Sequence, residues 1–174
     1  MITIFYRSAG KIVYSQSTAD LDVLVHEDVI WIDLFSPSGD EKRTVEKFLD
    51  TEIQSRAQAE EIESSSRFSE TDTAIFANTN FLIPGPEEYA MEAVSFTLVG
   101  NVLTTLRDVP LRSFTELQRK MQAVPRLFPN GYWVFVSIMD QRVDLDADMI
   151  ELMSKEIAQY SKRINQQEDI NEDF

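Results

Sequence analysis

The sequence predicts a mixed α/β domain, a largely antiparallel sheet covered by helices, that runs into one long C-terminal helix. Three observations carry this. Met1–Ser8 and Lys11–Ser15 alternate like two strands around Ala9-Gly10, a hairpin signal. Val29-Ile30-Trp31-Ile32-Asp33-Leu34 is a nearly continuous apolar run, as expected of a strand covered on both faces. From Tyr132 to about Gln166 there is no Gly and no Pro, and the apolar residues step by fours and threes.

The elements follow in order. After the hairpin, Ser17 or Thr18 caps a short helix through Leu21, Leu24 and Val25. Beyond the Val29–Leu34 strand, Ser38 stands three residues before Glu41, the spacing of a capping box, and starts a helix. Val45, Phe48 and Leu49 form its buried stripe. Gln54–Glu63 reads as a second helix, followed by an extended segment after Arg67-Phe68. Ala74–Ile83, Ala93–Val99 and Val102–Arg107 read as strands, linked by a Pro84–Glu88 loop and a tight Gly100-Asn101 turn. Pro110–Val124 supports a helix through Leu111, Phe114, Leu117 and Met121. Interleaved strands and helices argue a sheet with helical cover.

The last segment is of another kind. Met139, Val143, Asp146, Ile150, Met153, Ile157, Tyr160 and Ile164 form a heptad seam with one polar intruder, Asp146. Such a helix runs about 50 Å at 1.5 Å per residue, more than so small a domain can enclose. The expected division falls near Asn130-Gly131, giving an α/β domain over 1–130 and the start of a long helix over 131–174.

Thirty acidic residues against sixteen basic ones give a formal charge of −14. That charge repels phosphates and anionic membrane surfaces, so nucleic acid is excluded as a partner, and divalent cations are the natural counterions. Hydrophobic residues make up 43%, enough for a packed interior. The absence of cysteine excludes disulfides, Cys-zinc sites and thiol nucleophiles. The N-terminal residues read as a strand rather than a signal peptide, and no stretch approaches a membrane span of about 18–20 apolar residues. The chain is therefore expected to be soluble.

Catalytic signals are poor, and the reading is of a non-enzyme. His26 is the only histidine, has no nucleophile elbow near it, and reads as a surface or strand-edge residue. The five glycines form no phosphate-cradling loop. Asp144-Leu145-Asp146-Ala147-Asp148 starts like a calcium loop, but Met149 stands at the required Gly and Lys155 at the required Glu. A metal-dependent hydrolase would need converging ligands that the sequence does not supply.

Glu60, Glu61 and Glu63 crowd one short helix before a serine run. Adjacent helical residues diverge by about 100°, so Glu60 and Glu61 cannot chelate one ion together. Any bound cation draws its other ligands from another element or another subunit. Magnesium suits that arrangement, because it keeps much of its water shell and accepts only one or two carboxylates. Solvated helix charges are the competing reading of the same residues.

Taken together, Trp31-Ile32-Asp33-Leu34, Pro37, the helix carrying Glu46, Arg56…Glu60-Glu61-Ile62-Glu63…Ser66-Arg67-Phe68, Val94–Leu98, Leu103–Arg107 and the helix from Tyr132 with Asp140 and Glu156-Ile157 resemble the cytoplasmic domain of the CorA-type magnesium transporter family. The resemblance implies an α/β/α domain feeding a long stalk helix towards the membrane, on the cytoplasmic side of the bacterial inner membrane. It implies a homopentamer in which Mg2+ held weakly between neighbouring subunits keeps the pore closed, with Co2+ or Ni2+ as further transported ions. Glu60 and Glu61 match the family's acidic sensor pair, although Glu61 stands where Asp is usual, and Asp140 matches an acid on the first stalk segment. The Gly-Met-Asn pore motif is not in these residues. Two other readings stay open: a free-standing acidic module that uses its long helix as a partner, and the cytoplasmic domain of a zinc-exporting relative.

Overall fold

A computed structural model of the chain describes residues 1–54, 68–85 and 89–171. Among these residues seven strands form one sheet: β1 (Ile2–Ser8), β2 (Lys11–Ser15), β3 (Val29–Phe35), β4 (Phe68–Glu70), β5 (Ala74–Pro84), β6 (Tyr89–Val99) and β7 (Val102–Arg107). Their order across the sheet is β2-β1-β3-β7-β6-β5-β4. Neighbours run antiparallel except β3 and β7, which pair in parallel with Asp33 opposite Thr105 and Phe35 opposite Arg107. Three α-helices are described: α1 (Gly39–Leu49), α2 (Arg112–Ala123) and α3 (Gly131–Asn171). The mixed, largely antiparallel sheet with helical cover is the fold class expected from the sequence.

Local signals explain most elements. The β1–β2 hairpin turns on Ala9 and Gly10, with φ of 49° and 75°, the sign pattern of a type I′ turn. At α1 the capping box is complete. Ser38 Oγ accepts from the Glu41 amide at 3.2 Å, and Glu41 Oε2 accepts from the Ser38 amide at 2.8 Å. Helix α1 ends where Asp50 turns left-handed at φ 51°.

Two apolar layers sandwich the sheet. On one face Val45 and Leu49 of α1 pack with Leu21, Ile32, Leu34 and Leu106. On the other, Phe114, Leu117 and Met121 of α2 and Val134 and Ile138 of α3 pack with Trp31, Phe81, Phe96 and Leu103. Strand β3 serves both layers and is buried from Val29 to Leu34, which is why its sequence shows no alternation.

The start of α3 depends on one glycine. A Cβ at Gly131 would lie 2.3 Å from the Leu103 amide nitrogen and 2.8 Å from the carbonyl oxygens of Ile30 and Asn101. The Gly131 amide donates to Asn101 O at 2.7 Å, and Asn130 Oδ1 accepts from the Tyr132 amide at 3.1 Å. The helix is thereby capped and pressed against the ends of β3 and β7.

Some expectations shift. The helix expected after Ser17 is a 3₁₀ turn over Thr18–Asp22 without a side-chain cap, because Ser15 Oγ instead bonds Asp20 and accepts the Ser17 amide. Strand β6 begins at Tyr89 rather than Ala93, since β5 extends far enough to pair Phe81 with Glu92 and Pro84 with Tyr89. The extended segment after Arg67 includes β4, a short edge strand on β5. Residues 55–63 of the expected second helix lie outside the described residues, as does most of the Pro84–Glu88 loop.

By its contacts the chain divides into two compact units, Met1–Met139 and Asp140–Phe174. The first nine residues of α3 belong to the first unit, where Val134 and Ile138 are fully buried. In the second unit α3 carries Arg142–Asp146 and Glu151–Lys155 pairs, each four residues apart. Asp146, the polar intruder in the seam, is thus paired along its own helix. Val143, Ile150, Ile157, Tyr160 and Ile164 of that seam are exposed.

Candidate functional site

The polar centre of the first unit is a buried network at the carboxyl ends of β3 and β7. Arg107 donates from Nε to Asp33 Oδ1 at 3.1 Å and from Nη2 to Asp33 Oδ2 at 2.8 Å, a two-point ion pair. Its Nη1 donates to Val109 O at 2.6 Å. The guanidinium lies 4.7 Å from the Phe35 ring centre and 4.9 Å from that of Phe114. Thr105 Oγ1 donates to Asp33 Oδ1 at 2.8 Å and accepts from Trp31 Nε1 at 3.0 Å. The parallel register explains the assembly: Trp31, Asp33, Thr105 and Arg107 alternate onto the α2 face of two adjacent strands.

This network escaped the sequence reading. Its signal was an aspartate inside an otherwise apolar, doubly covered strand, which implies a buried counter-charge. Arg107, at the end of another apolar strand, supplies it.

A second polar cluster surrounds Glu41. Hydrogen bonding from the Ser38 amide, chiefly, holds the Glu41 carboxyl below the usual carboxylate range, and the amino group of Met1 at 3.0 Å adds to this. Behind it, Glu46 Oε1 accepts from the Ile53 amide at 2.9 Å, fastening the chain that leaves α1. His26 is half-buried in a 3₁₀ turn and stacks on Phe48, with ring centres 5.2 Å apart and 17° between planes.

The expected metal ligands fall differently. Asp140 is exposed on α3, where the second compact unit begins. Glu60 and Glu61 lie outside the described residues. Among the described residues no three His, Cys, Asp or Glu side chains converge on one point. The acidic triplet Asp144, Asp146 and Asp148 is helical, which no calcium loop is. No described helix is long and apolar enough to cross a membrane.

Fold and site together define an α/β/α domain with an internally neutralised core, continuing into a long helix with an exposed apolar seam. A family model described as "CorA-like Mg2+ transporter protein" matches residues 26–173, and the chain belongs to this family. It is 32% identical over 161 residues to a magnesium transport protein CorA of Wolinella succinogenes, covering 90% of this chain and 50% of the relative. To the protein of that name in Escherichia coli (strain K12) it is 28% identical over 138 residues, covering 79% of this chain and 44% of the relative. The chain thus spans about half the length of the curated relatives it matches.

Among solved structures, the soluble domain of CorA from Methanocaldococcus jannaschii superposes with a TM-score of 0.56 at 16% identity, covering 91% of this chain and 65% of that one. The ZntB cytoplasmic domain from Vibrio parahaemolyticus superposes with a TM-score of 0.57 at 16% identity, covering 87% and 62%. Full-length CmaX gives 0.63 at 12% identity, covering 90% and 49%. At these identities the likeness is one of fold.

Proposed function

We propose that this chain is the cytoplasmic, divalent-cation-sensing domain of a CorA-like magnesium transporter in the bacterial inner membrane. The observation that carries the reading is family membership over residues 26–173, with relatives that are themselves named magnesium transport proteins. In this reading identical subunits form a pentamer, and Mg2+ bound between neighbours favours the closed pore. Glu60 and Glu61 supply one half of each site, and Asp140 or a neighbouring subunit supplies the other. Co2+ and Ni2+ would be further transported ions, and the membrane would be reached through helices outside this segment.

The energetics suit a sensor. Subunits of −14 charge repel one another, and an ion between facing carboxylates offsets this locally. Sparse carboxylate ligation gives dissociation constants of about 10⁻⁴–10⁻³ M. At a free ion concentration equal to Kd, each site stabilises its bound state by about 0.4 kcal/mol. Five such sites sum to about 2 kcal/mol, enough to bias a gate more than tenfold. The exposed seam of Val143, Ile150 and Ile157 is a surface that assembly would cover.

Magnesium titration of a form that continues through the following helices, monitored by melting and by sedimentation, tests the reading. Stabilisation and a larger assembly at millimolar Mg2+ are expected. No change in either would count against it. The second reading, the cytoplasmic domain of a zinc-exporting relative, is compatible with the fold, which the ZntB cytoplasmic domain shares. A stronger response to Zn2+ than to Mg2+ in the same titration would select it.

A further inference from the structure

A half-open cleft of about 380 Å³ lies between the β1–β2 hairpin and α2, at the carboxyl ends of the parallel strands β3 and β7. Its size falls within the range of about 300–1,000 Å³ typical of small-molecule sites. It lies beside the carboxyl ends of the one parallel pair in an otherwise antiparallel sheet. Asp33 and Arg107 lie at its floor.

The floor is preorganised. Arg107 is held by both Asp33 oxygens, by Val109 O and between two aromatic faces, so it cannot swing away. Of the five N–H donors of a guanidinium, three are engaged in this way, which leaves two. Arg119, on α2, also lines the cleft, is exposed, and has no ion pair or hydrogen bond among the described residues. Gln118 and Gln122 of the same helix add amide groups to that wall. Among the described residues the only acid lining the cleft is Asp33, which Arg107 neutralises. In a chain of net charge −14, this is a locally cationic hollow.

The opposite wall is aromatic. Tyr14 is 54% exposed and leans on Phe5, with ring centres 5.9 Å apart. We propose that the cleft binds a small organic monocarboxylate. Arg119 and the two unspent Arg107 N–H groups take its carboxylate, and the exposed ring of Tyr14, backed by Phe5, takes its apolar body. A monoanion fits better than a dianion, because the Asp33 carboxylate sits 2.8–3.1 Å from the same guanidinium and repels excess negative charge. The proposal rests on residues of the first compact unit and is independent of the transporter reading.

The test uses the full 174-residue chain, titrated with benzoate and hexanoate and followed by NMR of the arginine Nε–H and the α2 amides. Saturable shifts at Arg107 and around Arg119 are expected with at least one carboxylate. Arg119→Gln, an exposed change that leaves melting unaltered, is expected to weaken binding about tenfold by removing a charge-assisted hydrogen bond. Benzamide, the neutral counterpart of benzoate, should bind about tenfold more weakly for the same reason. The proposal is overturned if neither carboxylate saturates by about 10 mM, where a 1 mM site would be mostly filled. It is also overturned if Arg119→Gln leaves the affinity unchanged, or if inorganic phosphate binds as tightly as the carboxylates.

Discussion

Asp33 and Arg107, on adjacent parallel strands, neutralise each other across two hydrogen bonds of 3.1 and 2.8 Å in the interior of the sheet. Thr105 completes the carboxylate and in turn satisfies Trp31, so four side chains form one closed network. A buried pair of this kind adds little net stability over an apolar isostere, but losing one partner strands a charge. Asp33→Ala is expected to cost about 3–5 kcal/mol. Urea unfolding reads this as a lower midpoint at unchanged slope. Thr105→Val, which leaves the Trp31 N–H unpaired, should cost about 1–3 kcal/mol.

Gly131→Ala tests the seating of α3. Its Cβ would lie 2.3 Å from a backbone nitrogen in β7, which cannot yield without moving the strand. Overpacking of this kind costs about 1–3 kcal/mol, and contact with backbone puts this site at the upper end. Gly39→Ala is the control, since its Cβ meets only the mobile end of Arg43 at 3.4 Å. Thermal melting should separate the two variants, with Gly39→Ala close to the unmodified protein.

Glu41 predicts a pH dependence. Its folded-state pKa lies below the ordinary glutamate value of 4.5, chiefly through the Ser38 amide. The unfolded state therefore binds the proton more tightly. The stabilisation is complete above the ordinary value and is lost as pH falls through the depressed one. Glu41→Gln should therefore destabilise at pH 7 and converge with the unmodified protein in acid. Ser38→Ala removes the other half of the box and should cost about 1 kcal/mol at neutral pH. Denaturation midpoints measured across that range check both.

The exposed seam yields a separation of effects. Ile150 and Ile157 are each 65% exposed, so replacing both with Glu should change the stability of this chain by less than about 0.5 kcal/mol. In the proposed pentamer the same pair should weaken subunit association, which sedimentation would detect. Unchanged association would remove the seam from the assembly.

Elements with local signals were legible. The capping box of Ser38 and Glu41, the two-residue hairpin at Ala9-Gly10 and the unbroken apolar run of β3 each state their structure within a few residues. Pairing is non-local, so the parallel β3–β7 contact and the sheet order could not be read, and with them went the partnership of Asp33 and Arg107. Strand β4 is three exposed residues long and carries no pattern to detect. The expected strand began at Ala93, and its extension back to Tyr89 is set by the length of β5, again a non-local pairing. Of the metal residues proposed, Asp140 stands exposed on its helix, and the other two lie outside the described residues.

The central claim is that Glu60 and Glu61 form half of an inter-subunit Mg2+ sensor. It is tested most directly by replacing both with Ala in the proposed full-length transporter and recording current against internal Mg2+. The account predicts that inactivation disappears or moves to much higher Mg2+ while conduction persists. Inactivation by internal Mg2+ at unchanged concentration would contradict it.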